Sequence, residues 1–368
     1  MAGSTLGTIF KITTFGESHG KALGVVVDGC PAGLALCEDD IQIYLDRRKP
    51  GQTKISTPRK EDDRVQILSG IFEGRTTGTP ISLLVPNTSQ KSSDYSQIKE
   101  CYRPGHADFT FDAKYGFRDY TGGGRSSGRE TIGRVAAGAI AAKILKEIGI
   151  CVTAYTRSIG PVTADMDKFD VDAITSTATS MPDREADQAA LSYLQECMLN
   201  KDSSGGTIEC VVEGLPAGIG DPVFEKLDAN LARAVMSIGA VKAVEIGDGV
   251  LVSSARGSVN NDAFYCDEEG NIRKKTNHAG GILGGISDGS KLLLRAHIKP
   301  TPSIFSTQET VNRSGENIEI AIKGRHDPVI VPRAVVVVEA MTALTILDAC
   351  LVNMTARLDH LKKFYETP

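Results

Sequence analysis

Apolar positions along this chain follow two periods, and they sort it into many short extended runs and a few long helical ones. Runs of strand length cover residues 7–15, 23–28, 65–72, 81–85, 150–155, 207–213, 243–246, 250–255, 291–298 and 318–323. Helical spacing covers 39–47, 129–148, 184–200, 224–236 and 332–357. Gly149 suits the left-handed position just past the end of the second helix, and Pro332 suits the first turn of the last. Neighbouring strand runs are joined by short turns, such as EGRTTGTP between Phe72 and Ile81, which favours antiparallel pairing. Hairpins interrupted by helices predict an α+β fold, not a parallel doubly wound sheet.

The segment VVDGCPAG at 26–33 recurs as VVEGLPAG at 211–218, each time after a strand run and before a helical one. The two longest apolar helices also follow comparable steps, Gly124-Arg125 and Gly324-Arg325. This reads as two related β-α halves, roughly 1–150 and 151–368, packed as a single domain with no low-complexity linker. Chance recurrence of ordinary turn chemistry is the alternative. Two polar stretches without a period, 49–63 and 87–105, read as long loops of the kind that often serve function.

Composition narrows the class. With 41% hydrophobic and 24% charged residues the chain is an ordinary globular protein, and its net charge of −5 argues against a nucleic-acid-binding face. The N-terminal residues lack a basic stretch followed by an apolar core, so no secretory signal is expected. Arg333, Glu339 and Asp348 interrupt the longest apolar stretch, which makes it a buried helix and not a membrane span. Eight scattered cysteines with no CxxC pair predict reduced, core-filling thiols in a cytoplasmic protein and no metal site.

Five segments carry candidate chemistry. TFGESHG (14–20) leaves Ser18 and His19 on a glycine-bounded turn at a strand end, which suits either a catalytic imidazole or a plain surface turn. YRPGHAD (102–108) sets Arg103 three residues before His106, a spacing equally suited to an oxyanion contact or a helix-bounding turn. In YTGGGRSSGRETIG, glycines with Arg125, Ser126, Ser127 and Arg129 run into a long helix; this favours phosphate or flavin cradling, although it is neither a Walker loop nor GxGxxG. NHAGGILGGISDG (277–289), followed by Lys299, Pro300, Thr301, Pro302 and Ser303, permits close backbone approach to a flat ligand. KGRHDP places Arg325 and Asp327 before the last helix, where Asp327 serves either as a base or as a salt-bridged cap. Chemistry alone reaches an anion-binding enzyme with exposed histidines and arginines.

Taken together and in order, FGESHGKALGVVVDGCPAG, LDRRKPGQ, RPGHAD, RDYTGGGRSSGRET, MSIGAVKAVEIGDG, NHAGGILGGISDG, KPTPS and GRHDPVIVPRAVVVVEAM resemble the chorismate synthase family over nearly the whole chain. The resemblance implies two antiparallel sheets packed as a sandwich with helices outside, and a cytoplasmic homotetramer. It implies a lyase (EC 4.2.3.5) that removes phosphate from the small molecule 5-enolpyruvylshikimate 3-phosphate by anti-1,4-elimination to give chorismate, the last common step of aromatic amino acid biosynthesis. Reduced FMN is required without net redox change, supplied either by NADPH or by a separate flavin reductase. By resemblance His19 protonates the departing phosphate, His106 serves the reduced flavin and Asp327 assists proton transfer. Arg125, Ser126, Ser127, Gly239, Ala240, Gly284, Lys299 to Ser303 and Arg325 match FMN positions. Ser18, Arg48, Lys54, Arg103 and Arg129 match substrate, phosphate or NADP positions. Lys54 stands where many members carry Arg, Gly128 where Ala is frequent, and Gly239 where Asn is frequent. The competing readings are a flavin oxidoreductase, which would consume NAD(P)H stoichiometrically, and an RNA-binding module, for which aromatics at 5% without Trp are too few.

Overall fold

The computed structural model describes residues 3–51, 61–88, 98–322 and 327–366. The first half runs β1 (Thr5–Leu6), β2 (Lys11–Gly16), β3 (Ala22–Asp28), α1 (Glu38–Arg48), β4 (Gln66–Ile67), β5 (Ile71–Phe72), β6 (Arg75–Thr76), β7 (Ile81–Pro86), α2 (Asp108–Tyr115) and α3 (Thr131–Glu147). The second begins with β8 (Cys151–Ile159), β9 (Val162–Thr163), α4 (Val171–Ser176), α5 (Arg184–Leu199), β10 (Gly206–Glu213), α6 (Leu227–Met236), β11 (Val241–Ile246) and α7 (Gly257–Asn260). It continues through β12 (Phe264–Cys266), β13 (Ile272–Lys274), β14 (Ile282–Leu283), β15 (Ile286–Ser287), β16 (Leu292–Ile298), β17 (Gln308–Val311), β18 (Asn317–Ile320), α8 (Val331–Asn353) and α9 (Leu358–Glu366).

Two five-stranded sheets, ordered β1-β2-β3-β7-β4 and β11-β16-β10-β8-β9, are antiparallel throughout, as the short turns predict. Strict alternation along β16 turns Leu292, Leu294, Ala296 and Ile298 inward and leaves Leu293, Arg295 and His297 on the other face. The expected layering is corrected, however. The sheets do not pack on each other with the helices outside. Helix α3 lies against β3 and β2 of the first sheet, α8 lies against β8 and β10 of the second, and the two helices pack on one another between them. The physical reason is in α8 itself, which is apolar nearly all round and therefore needs cover on every side. It is the one helix among the described residues long and apolar enough to cross a membrane, and it is a core element.

Close approach in this middle layer depends on two glycines of α3. A Cβ on Gly133 would stand 3.0 Å from the Gly24 carbonyl oxygen, on the first sheet. A Cβ on Gly138 would stand 2.3 Å from the Cβ of Ala340 on α8. One helix thus contacts a sheet and a partner helix at backbone distance. It ends in a Schellman motif, with Gly149 N–H donating to Lys146 and Ile150 N–H to Leu145.

The repeated PAG segments have matching surroundings. Thr76 Oγ1 donates to the Pro31 carbonyl at 2.7 Å and accepts from Leu34 N–H at 2.9 Å. Ser287 Oγ donates to Pro216 at 2.6 Å and accepts from Ile219 N–H at 2.9 Å. In each case a two-residue-per-strand hairpin, β5–β6 or β14–β15, carries the hydroxyl.

Three element expectations change. Residues 249–254 form a 3₁₀ helix where a strand was expected, because left-handed Gly247 and Gly249 turn the chain away from β16. The run 65–72 divides into β4 and β5. The short helices α2 and α9 had no periodic signal long enough to reveal them. Of the two expected loops, 49–63 and 87–105, residues 52–60 and 89–97 lie outside the described residues.

Candidate active site

Both core helices open onto one cavity of about 590 Å³. Glu130 and Thr131 bring the start of α3 to its wall, and Ile330 and Arg333 bring the start of α8. Neither helix has a side-chain cap on its first turn, and the positive ends of two helix dipoles converge there. Among the described residues the wall also carries Arg103, Arg125, Arg129, Arg134, Lys299 and Arg333, against Glu130 and Asp327. An acidic protein has concentrated its cations where an anion can enter.

The glycine-rich turn brings the two histidines together. Gly122 and Gly123 both have left-handed backbones. A Cβ on Gly122 would fall 2.3 Å from the His19 ring, and one on Gly123 would fall 3.1 Å from the His106 ring. Any side chain here would push an imidazole aside. Ser18, almost fully buried at the end of β2, donates to the Gly122 carbonyl at 3.3 Å and lies 2.9 Å from His19 Nδ1. With its hydroxyl proton directed at Gly122, the Ser18 oxygen can accept from Nδ1.

His106 is held more firmly. Its Nδ1 lies 2.9 Å from Arg103 NH2 and 3.1 Å from Asp108 Oδ1. Asp108 also accepts from the Arg103 backbone N–H at 3.0 Å, from Nε at 2.7 Å and from NH2 at 2.8 Å. Burial alone would raise the Asp108 pKa, but hydrogen bonds and charge from Arg103 and His106 hold it well below the ordinary carboxylate range. This carboxylate orients the ring, and it was missed in the sequence although it stands two residues past the histidine.

Arg125 donates from NH2 to Thr14 Oγ1 at 2.7 Å, and Thr14 Oγ1 donates in turn to Glu130 at 2.9 Å. Glu130 also pairs with Arg134 at 2.8 Å, so one buried carboxylate steadies two cavity arginines. Arg333 donates to Asp327, and both line the cavity. Behind the wall, Arg129 meets Glu61 at 2.7 Å and Asp63 at 3.1 Å, while Asn87 Oδ1 accepts from its Nε and NH2.

Most of the expected site residues therefore converge. Arg103, His106, Arg125, Ser126, Ser127, Arg129, Gly239, Ala240, Lys299, Thr301, Pro302, Ser303 and Asp327 line the cavity. Ser18 and His19 stand directly behind Gly122, and Pro300 packs toward Gly205 between two lining residues. Two expected residues stand apart. Arg48 does not line the cavity: it is 2% exposed, pairs with Asp63 at 2.5 Å and supports the Gly128 carbonyl at 3.4 Å. Burial brings its pKa down to about 10, with Asp63 opposing the change. Gly284 lies in the turn of the β14–β15 hairpin and is not part of this wall. Lys54 and Arg325 fall outside the described residues.

A pocket this cationic, with two imidazoles packed against one glycine turn at the mouth of a β-α-β core, defines an enzyme acting on a multiply charged anion. The chain belongs to the chorismate synthase family, whose model matches residues 10–351. It is a carbon–oxygen lyase of the phosphate-releasing class, EC 4.2.3.5. A chorismate synthase of Agathobacter rectalis is 67% identical over 366 residues, spanning 100% of both chains. One of Methanocella arvoryzae is 56% identical, covering 95% of this chain and 94% of its own. A crystal structure of chorismate synthase superposes with a TM-score of 0.77 at 30% identity, covering 98% of this chain and 97% of that one.

Proposed function

We propose that this cavity converts 5-enolpyruvylshikimate 3-phosphate to chorismate by anti-1,4-elimination, with reduced FMN bound beside the substrate. The observation that carries the proposal is the pairing of His19 and His106 at adjacent glycines in a wall of six cationic side chains. A substrate with a phosphate and two carboxylates needs that many donors. The residues also suit a flat anionic cofactor. Thr301 Oγ1 is buried without a hydrogen-bond partner, and the space where a Gly239 side chain would stand is open. Ala240, held in a left-handed backbone, accepts from Lys299 N–H at 2.9 Å and so fixes the second wall. Arg125, Ser126, Ser127, Gly239, Ala240 and Lys299 to Ser303 would hold FMN, which when reduced lends electron density to the elimination with no net redox change.

His19, braced through Nδ1 by Ser18, holds a proton at Nε2 for the departing phosphate. His106, fixed through Nδ1 by Asp108 and Arg103, turns its other ring edge toward Gly123 and the cavity and keeps a proton on the cofactor side. Asp327, tethered to Arg333, would relay a proton on that side. A cytoplasmic homotetramer of two duplicated halves, reduced by NADPH or by a separate reductase, completes the reading; the matched PAG hydrogen bonds support the duplication. Replacing His19 or His106 with Ala is expected to slow turnover about 10²–10⁴-fold with a modest change in substrate binding. Normal turnover by His19→Ala would remove its assignment.

A further inference from the structure

Arg118, just past the end of α2, is a buried cation that does not line the cavity. Its NH2 donates to three carbonyl oxygens of one segment, Ile98 at 2.8 Å, Lys99 at 3.1 Å and Cys101 at 2.8 Å. Its NH1 donates at 2.5 Å to Asp112 Oδ2 within α2, a carboxylate that also has Arg313 of the second half at 3.6 Å. The guanidinium lies over the Tyr102 ring, 5.1 Å from its centroid. Nε is buried without a hydrogen-bond partner and stands 4.0 Å from Asp108 Oδ1. That oxygen is the one that faces His106 Nδ1 at 3.1 Å and accepts from Arg103 NH2 at 2.8 Å.

Both sides of this arrangement reach the active cavity. Ile98 is buried and lines its wall, as do Arg103 and His106 from the same stretch of chain. The second half holds one edge of that stretch: Tyr102 N–H donates to the Val311 carbonyl at 3.2 Å, and Arg313 N–H donates to the Glu100 carbonyl at 2.8 Å. Arg118 holds the carbonyls that remain. We propose that Arg118 is a positioning residue that acts twice: its fork fixes Ile98 on the cavity wall, and its charge steadies the Asp108 oxygen that orients His106. The inference rests on the reading that His106 keeps a proton beside the cofactor. Apolar Ile98 suits the flat ring of that cofactor and not a polyanion, so loosening its segment lowers affinity for flavin. Only arginine does both, because its planar donors reach three carbonyls and a carboxylate, whereas lysine carries the charge without the fork. The other charged or titratable groups about His106 are Arg103 and Asp108 on its own segment, Lys299 on the Gly105 carbonyl at 2.8 Å, and Arg125 and His19 at the glycine turn, where Arg125 is engaged with Thr14. Without Arg118 the Asp108 carboxylate is less neutralised, so turnover that needs a proton on His106 persists to higher pH.

The test combines a fluorescence titration with oxidised FMN and the pH profile of turnover, both on the full chain. Arg118→Lys is expected to weaken FMN binding about tenfold, the scale of a partly lost apolar contact, and to leave the profile in place. Arg118→Met is expected to weaken binding as much and also to move the alkaline limb of the profile up by about one pH unit. If Arg118→Met does not fold, Asp112→Asn takes its place: it removes an anion from Arg118 instead, so the limb should move down. Native FMN affinity in Arg118→Lys, or an unmoved limb in the charge variant that folds, overturns the inference. An alkaline limb that persists unchanged in the residual turnover of His106→Ala overturns the underlying reading of His106 instead.

Discussion

Asp108 shows how much of this site depends on residues that never meet the ligand. Its carboxylate joins a buried arginine, a backbone N–H and the Nδ1 of His106. Asp108→Asn is expected to cost about 1.5–3 kcal/mol of stability at neutral pH, the usual worth of charge-assisted bonds. Because the folded pKa is depressed, the contribution is fully present above the ordinary carboxylate pKa of about 4. It fades as pH falls through the lower folded value, so the gap between native and variant proteins in urea titrations should be constant from pH 6 to 8 and narrow in acid. A gap that stays constant into acid would count against the ion-pair account. The turns that carry His19, His106 and Arg125 were legible in the sequence because glycines bound them, while the roles expected of these residues came from the resemblance. Their partners were not. Glu61, Asp63, Asp108 and Glu130 sit among polar loop residues, and only tertiary burial reveals which carboxylate faces which cation. The pairing of Arg48 with Asp63 was hidden for the same reason, since a cation near a basic loop looks identical in sequence whether it faces a ligand or a buried aspartate.

At the level of elements, periodicity located nine of the ten expected strand runs and all five expected helices, yet it misplaced the layers. The signal was present: α8 carries Glu339 and Asp348 but no polar face, and a helix without a polar face belongs inside. Even its charges are used internally. Glu339 takes both guanidinium nitrogens of Arg47 at 2.8 Å, and Asp348 caps the backbone N–H groups of Thr8, Ile9 and Phe10. Two helices sandwiched between sheets must cross closely, and Gly138 is where they do. Gly138→Ala would place a methyl 2.7 Å from the Ala340 Cα, a backbone atom that cannot swing away. The expected loss is about 1–3 kcal/mol or more in denaturant unfolding. Gly128→Ala, with nothing within 4 Å of its Cβ position, is the matched control. Equal stability of the two variants would contradict the packing described for α3 and α8.

For the molecule as a whole, the middle layer explains the location of the chemistry. Antiparallel sheets cover α3 and α8 along their lengths, so the helix starts are where the core meets solvent, and both bring positive dipole ends to one cavity. The first half supplies His19, His106 and Arg125, and the second supplies Ala240, Lys299 to Ser303 and Asp327. Neither half encloses a ligand alone. The most direct measurement is anaerobic turnover of 5-enolpyruvylshikimate 3-phosphate by the purified protein with FMN and dithionite, following chorismate absorbance, phosphate release and reductant consumption together. The account predicts one chorismate and one phosphate per substrate, with no reductant consumed beyond that needed to reduce the flavin. Absence of chorismate, or reductant consumed in step with product, would contradict it.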